Sequence, residues 1–146
     1  MRTIIAGFIA GFVGVLVFHQ LGFFVANELG LLKVTLYNQR PVAPFGVPAI
    51  LSSAFWGGLW GIVGSYVAPR VPPAVDGPWG WILFAGVFVT LVNWFVVLPI
   101  KGAPIGGGFR MPGVVVVPLV YAFWGFGMWM IFGLARRALG GRTWNR

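Results

Sequence analysis

Apolar residues fill four stretches of about twenty residues each, separated by shorter segments in which Pro, Gly and charged side chains collect. A helix rises 1.5 Å per residue, so about twenty apolar residues cross the ~30 Å hydrocarbon core of a bilayer. The pattern therefore predicts membrane spans over 4–26, 47–68, 79–98 and 113–135, followed by a basic tail over 136–146. The first apolar run can continue to Leu32, longer than the core is thick, so this helix is expected to tilt or protrude. Pro48 suits the first turn of the second span, and Ala68-Pro69-Arg70 ends it with a helix breaker and a charge. Trp79 and Trp81 open the third span where indoles favour the membrane interface, and Pro99 and Lys101 close it. Pro118 marks either the start of the fourth helix or a kink in it. The fold class expected is all-α: one integral membrane domain, a bundle of about four transmembrane helices with antiparallel neighbours.

A 68-residue shift lays positions 44–57 over 112–125 with seven identities in fourteen, ending in a shared Ala-Phe-Trp-Gly. It also lays Lys33 on Lys101. One reading is a bundle of two duplicated helical hairpins, since units of even span number insert with the same orientation; the other is chance convergence of two helix starts in a restricted alphabet.

Composition agrees with lipid as the solvent. Of the 146 residues, 59% are hydrophobic and only 8% charged, against about 25% charged in ordinary soluble domains. The formal charge of +8 would suggest nucleic acid in a soluble protein. Here the cations stand singly between apolar runs, as orientation signals and headgroup contacts, so no nucleic acid is expected. Arg2, Arg70, Arg136, Arg137, Arg142 and Arg146 fall on one side of the membrane, and Lys33, Arg40, Lys101 and Arg110 on the other. Six against four favours both termini in the cytoplasm, in a bacterial inner membrane.

Small residues recur every fourth position in the first two spans: Gly7, Gly11 and the nearby Gly14, then Ser53, Gly57, Gly61 and Ser65. Residues four apart share a helix face, and such faces let backbones approach closely in lipid. They serve packing within one bundle or against a partner. His19, Gln20, Asn27 and Asn93 make a candidate intramembrane polar site, because polar groups at that depth are costly unless partnered. The neutral imidazole of His19 is expected to hydrogen-bond a neighbouring helix through Asn93. Lys33, Arg40, Lys101 and Arg110 are candidate contacts for an anionic headgroup, solute or partner.

Catalysis finds no foothold. The two acids, Glu28 and Asp76, lie on opposite sides of the predicted bundle, and no cysteine is present. No nucleophile signature accompanies Ser52, Ser53 or Ser65, and no metal motif occurs, so neither a metal nor another cofactor is expected. Gly106-Gly107-Gly108 lacks the P-loop lysine and predicts a flexible loop. In size the chain resembles the four-span multidrug transporters, but those depend on a carboxylate within the first span. Glu28 instead lies at the end of that helix, which argues against drug–proton exchange. The expected role is a non-catalytic scaffold or accessory subunit, packed with membrane lipids around it in a homo-oligomer or larger membrane complex. The alternative is a small oligomeric channel or transporter for a small solute or anion.

Overall fold

A computed structural model describes residues 1–70, 72 and 77–140. Four helices are long and apolar enough to cross a membrane: α1 (Arg2–Glu28), α2 (Ala49–Arg70), α3 (Pro78–Ile100) and α4 (Gly113–Ala138). Asp76, Arg142 and Arg146 lie outside the described residues. Each helix matches a predicted span, with ends moved by a few residues. Pro48 is not in the first turn of α2 but precedes it: Val47–Pro48 (β2) pairs antiparallel with Pro41–Val42 (β1), a small departure from an all-α chain. α3 passes Pro99, which lies in its last turn and supplies no N–H donor there. Pro118 lies inside α4, whose first residue is Gly113.

Helices this apolar would gain no hydrophobic attraction for one another in lipid, where close packing would have to hold them together. The order of contact is α2, α1, α4, α3. Gly7 and Gly11 of α1 lie against Gly61 and Gly57 of α2 so closely that a Cβ added at Gly11 would stand 1.9 Å from the Gly57 carbonyl oxygen. A Cβ at Gly61 would stand 2.1 Å from the Gly7 oxygen. On its other side α1 meets α4, where Gly14 faces Trp124 and Met128 and Gly127 faces the Phe18 ring. The Trp124 indole N–H donates to the Gly11 carbonyl at 3.3 Å, tying α4 to the tightest point of the α1–α2 contact. Gly125 sits against the Trp81 carbonyl, joining α4 to α3. Arg2 donates to the carbonyl of Gly140, so the start of α1 lies beside the end of α4.

The packing faces expected from sequence thus divide. Gly7, Gly11, Gly14, Gly57 and Gly61 are used inside the chain. Ser65 is buried and its hydroxyl donates to its own helix at Ile62. Ser53 is exposed and belongs to no helix contact of this kind.

The segment after α1 folds back along it. Asn27 holds Val34 through both of its backbone polar groups, donating from Nδ2 to the carbonyl (2.7 Å) and accepting the N–H at Oδ1 (3.0 Å). Further on, Gln20 Oε1 accepts from the Tyr37 N–H at 2.9 Å, and the Tyr37 hydroxyl donates to the Leu16 carbonyl at 2.8 Å. The same segment then caps α2, whose Ala49 and Ile50 N–H groups donate to the carbonyls of Arg40 and Asn38. α1, with 27 residues and a length of about 40 Å, exceeds the ~30 Å of a hydrocarbon core, and its final turns are flanked by protein backbone.

The glycine triplet lies in the turn between α3 and α4. Gly106, Gly107 and Gly108 all take positive φ (59°, 62° and 77°), a run only glycine adopts without strain. It turns Phe109 back onto Trp94 and Phe95 of α3.

Candidate functional site: a cavity between α2 and α3

Ring contacts join α2 to α3 near one end, where Trp60 meets Phe84 and Phe88 and Gly64 lies against Trp81 and Phe84. Towards the other end the helices border a cavity of about 410 Å³, within the ~300–1,000 Å³ range of small-molecule sites. All four helices contribute: Val15 and His19 from α1, five residues from Ser52 to Trp60 on α2, Val89, Asn93, Val97 and Ile100 on α3 with Lys101 just beyond it, and Tyr121 and Trp124 on α4. Trp56 on the rim is 59% exposed, whereas Trp124 at the back is 2% exposed.

The lining changes in polarity along the bundle axis. On α1 the polar residue His19 lies one turn closer to the Lys101 end than the apolar Val15. On α2 Ser52 and Ser53 lie in the first turns, and Gly57 and Trp60 deeper. On α3 Lys101 and Asn93 lie closer to that end than Val89, and on α4 Tyr121 lies closer than Trp124. On each helix the lining residue nearest the middle (Val15, Trp60, Val89 or Trp124) is apolar or aromatic and a hydrogen-bonding residue lies nearer the Lys101 end, with Val97 and Ile100 set between Asn93 and Lys101 on α3.

π-helical turns cluster at this cavity. They occupy Val15–His19 in α1 and Phe84–Val89 and Asn93–Val97 in α3, and each contributes lining residues: Val15 and His19, Val89, and Asn93 with Val97. A π turn widens the helix and shifts its backbone bonds, and such turns concentrate at functional sites. Two carbonyls within these turns take hydroxyl donors: Leu16 from Tyr37, and Ala85 from Thr90 at 3.3 Å.

His19 sits in an aromatic corner, edge-on to Phe23 and Tyr121 with ring centroids 4.6 and 5.4 Å away. Its Nδ1 is buried with no hydrogen-bond partner among the described residues. The expected bond to Asn93 is therefore absent at that nitrogen, although both residues line the cavity.

The four polar residues grouped from sequence separate into two pairs. His19 and Asn93 border the cavity; Gln20 and Asn27 bind the backbone of the segment after α1. Of the four loop cations only Lys101 borders the cavity, while Lys33, Arg40 and Arg110 are exposed elsewhere. Sequence reading missed Trp56, Trp60, Tyr121 and Trp124. The signal available was the four-residue spacing of Val89, Asn93 and Val97 on α3, continued by Lys101 just past its end.

Among the described residues no group of three or more His, Asp or Glu comes together to hold a metal. Comparison with protein-family models, curated proteins and solved structures gives no match.

Proposed function

We propose that this chain is a membrane-embedded binding protein or carrier, and that an amphiphile reaches its cavity from the bilayer between α2 and α3. The observation that carries the reading is the lining: its innermost residues, Val15, Trp60, Val89 and Trp124, are apolar or aromatic, while Lys101, Ser52 and Ser53 gather at one end. A molecule lying there with its polar end at the interface would match the bilayer's own gradient. The cluster of π turns and the unpartnered His19 nitrogen support it, since neither is needed to pack a plain bundle. This develops the transporter alternative rather than the scaffold reading. The glycine faces that would serve a scaffold are filled by one another within the chain. The setting proposed is a bacterial inner membrane with both termini cytoplasmic, on the Lys/Arg asymmetry, and the shared Ala-Phe-Trp-Gly fits duplicated hairpins in that each copy gives the cavity one tryptophan, Trp56 or Trp124.

Ser53→Trp tests the proposal, because Ser53 is exposed on the rim and an added indole would fill the cavity without entering a helix contact. Protein purified in mild detergent and stripped of lipid is titrated with lipid extract from the expressing membrane. A ligand at a hundred times its Kd stabilises by about 2.7 kcal/mol, which raises Tm by roughly 5–10 °C for a chain of this size. The wild type should show that rise and Ser53→Trp should not. An equal rise in both would remove the cavity from the explanation.

A further inference from the structure

Resting on the cavity reading above, we infer that the ligand is a single-chain anionic amphiphile, its carboxylate or phosphate held at Lys101 and its chain running down the α3 face towards Val89. Among the described residues Lys101 is the one charged side chain lining the cavity, and no carboxylate among them lines it to offset that charge. An ammonium at the rim of an apolar cleft favours an anionic group there, because the low-dielectric walls strengthen the attraction.

Length supports one chain within one leaflet. Val89 precedes Lys101 by twelve residues, which at 1.5 Å per residue is about 18 Å. The hydrocarbon core is ~30 Å thick, so one leaflet is roughly 15 Å deep. The cavity therefore runs from a headgroup at the interface to about the bilayer midplane. Ser52 and Ser53 offer hydrogen bonds near the head, His19, Asn93 and Tyr121 offer them deeper, with Asn93 about 12 Å below Lys101, and the innermost residues Trp60, Trp124, Val15 and Val89 are apolar or aromatic. A two-chain lipid would have to leave its second chain outside a cavity of about 410 Å³.

The test uses full-length protein in nanodiscs with three diazirine-bearing probes sharing one alkyl chain: a fatty acid, a lysophosphatidic acid and a fatty alcohol. Peptides carrying the lining residues of α2 and α3 are scored for adducts. In the wild type at least one anionic probe should label them about fivefold or more above the alcohol, the effect expected of one basic residue near the surface. Lys101→Gln should abolish that preference, Lys101→Arg should keep it, and Lys33→Gln should leave it unchanged. Whether fatty acid or lysophosphatidic acid labels more strongly tells which anionic source the site takes. Equal labelling by anions and alcohol, or a preference that survives Lys101→Gln, would overturn the anion assignment while the cavity reading stands. Lining peptides left unlabelled by all three probes would overturn both.

Discussion

Replacing Gly11 with alanine should lower the Tm of the detergent-solubilised protein by roughly 10 °C, more than any other single methyl group added to the α1–α2 contact. The new Cβ would lie 1.9 Å from the Gly57 carbonyl oxygen, 2.6 Å from its carbon and 3.0 Å from the Gly61 Cα. All three are backbone atoms, so no rotamer change relieves the clash and the helices must separate. Separation also pulls on the Trp124 indole, which donates to the Gly11 carbonyl. Overpacking of this kind costs about 1–3 kcal/mol and more where nothing can yield, and each kcal/mol moves Tm by about 2–4 °C at this size. Two controls fix the cause. Gly58→Ala meets the Phe8 ring at 2.5 Å, a side chain that can swing aside, so its cost should be smaller. Gly133→Ala meets nothing within 4 Å and should stabilise α4 slightly, since alanine exceeds glycine in helix propensity by up to about 1 kcal/mol. Thermal unfolding of the three variants checks the order, and a Gly11 variant as stable as the Gly133 one would contradict the packing described.

Asn27→Leu should release the segment that folds back on α1. Leucine approximates the size of asparagine but leaves the Val34 N–H and carbonyl without the two bonds the amide supplies. Leaving a sheltered backbone group unpaired costs about 1–3 kcal/mol. A loss of about 2 kcal/mol corresponds to roughly thirtyfold faster amide exchange, if the segment opens locally. Hydrogen–deuterium exchange of the peptide covering 33–40 reports this directly. Gln20→Leu should accelerate Tyr37 more than Val34, because Gln20 accepts only from Tyr37. Unchanged exchange in the Asn27 variant would mean that other contacts hold the segment.

The four long apolar helices were legible because a run of about twenty apolar residues is the length that bilayer thickness would select. The glycine spacing on α1 and α2 was legible too, since a four-residue repeat defines a helix face before any partner is known. Which face meets which was not. Nothing in the sequence distinguishes Gly57 packing on Gly11 from Gly57 packing on a second copy of the chain. Gln20 and Asn27 were grouped with His19 because polar residues in an apolar run demand partners. Their partners are backbone groups of an irregular segment, whose return along α1 leaves no periodic trace. The cavity was illegible for a related reason: Trp56, Trp60 and Trp124 read as ordinary apolar residues until the weak α2–α3 contact is seen. Asn93 on α3 and Lys101 just past its end, eight residues apart, were the part of the site that spacing alone could have joined.

Native mass spectrometry of the protein ejected directly from its membrane tests the ligand claim most directly. The wild type should carry, on its 15.8 kDa chain, an adduct of a few hundred daltons that resists mild activation, and Ser53→Trp should lack it. A wild-type chain that emerges bare, or an identical adduct on Ser53→Trp, would contradict the assignment of this cavity as a binding site.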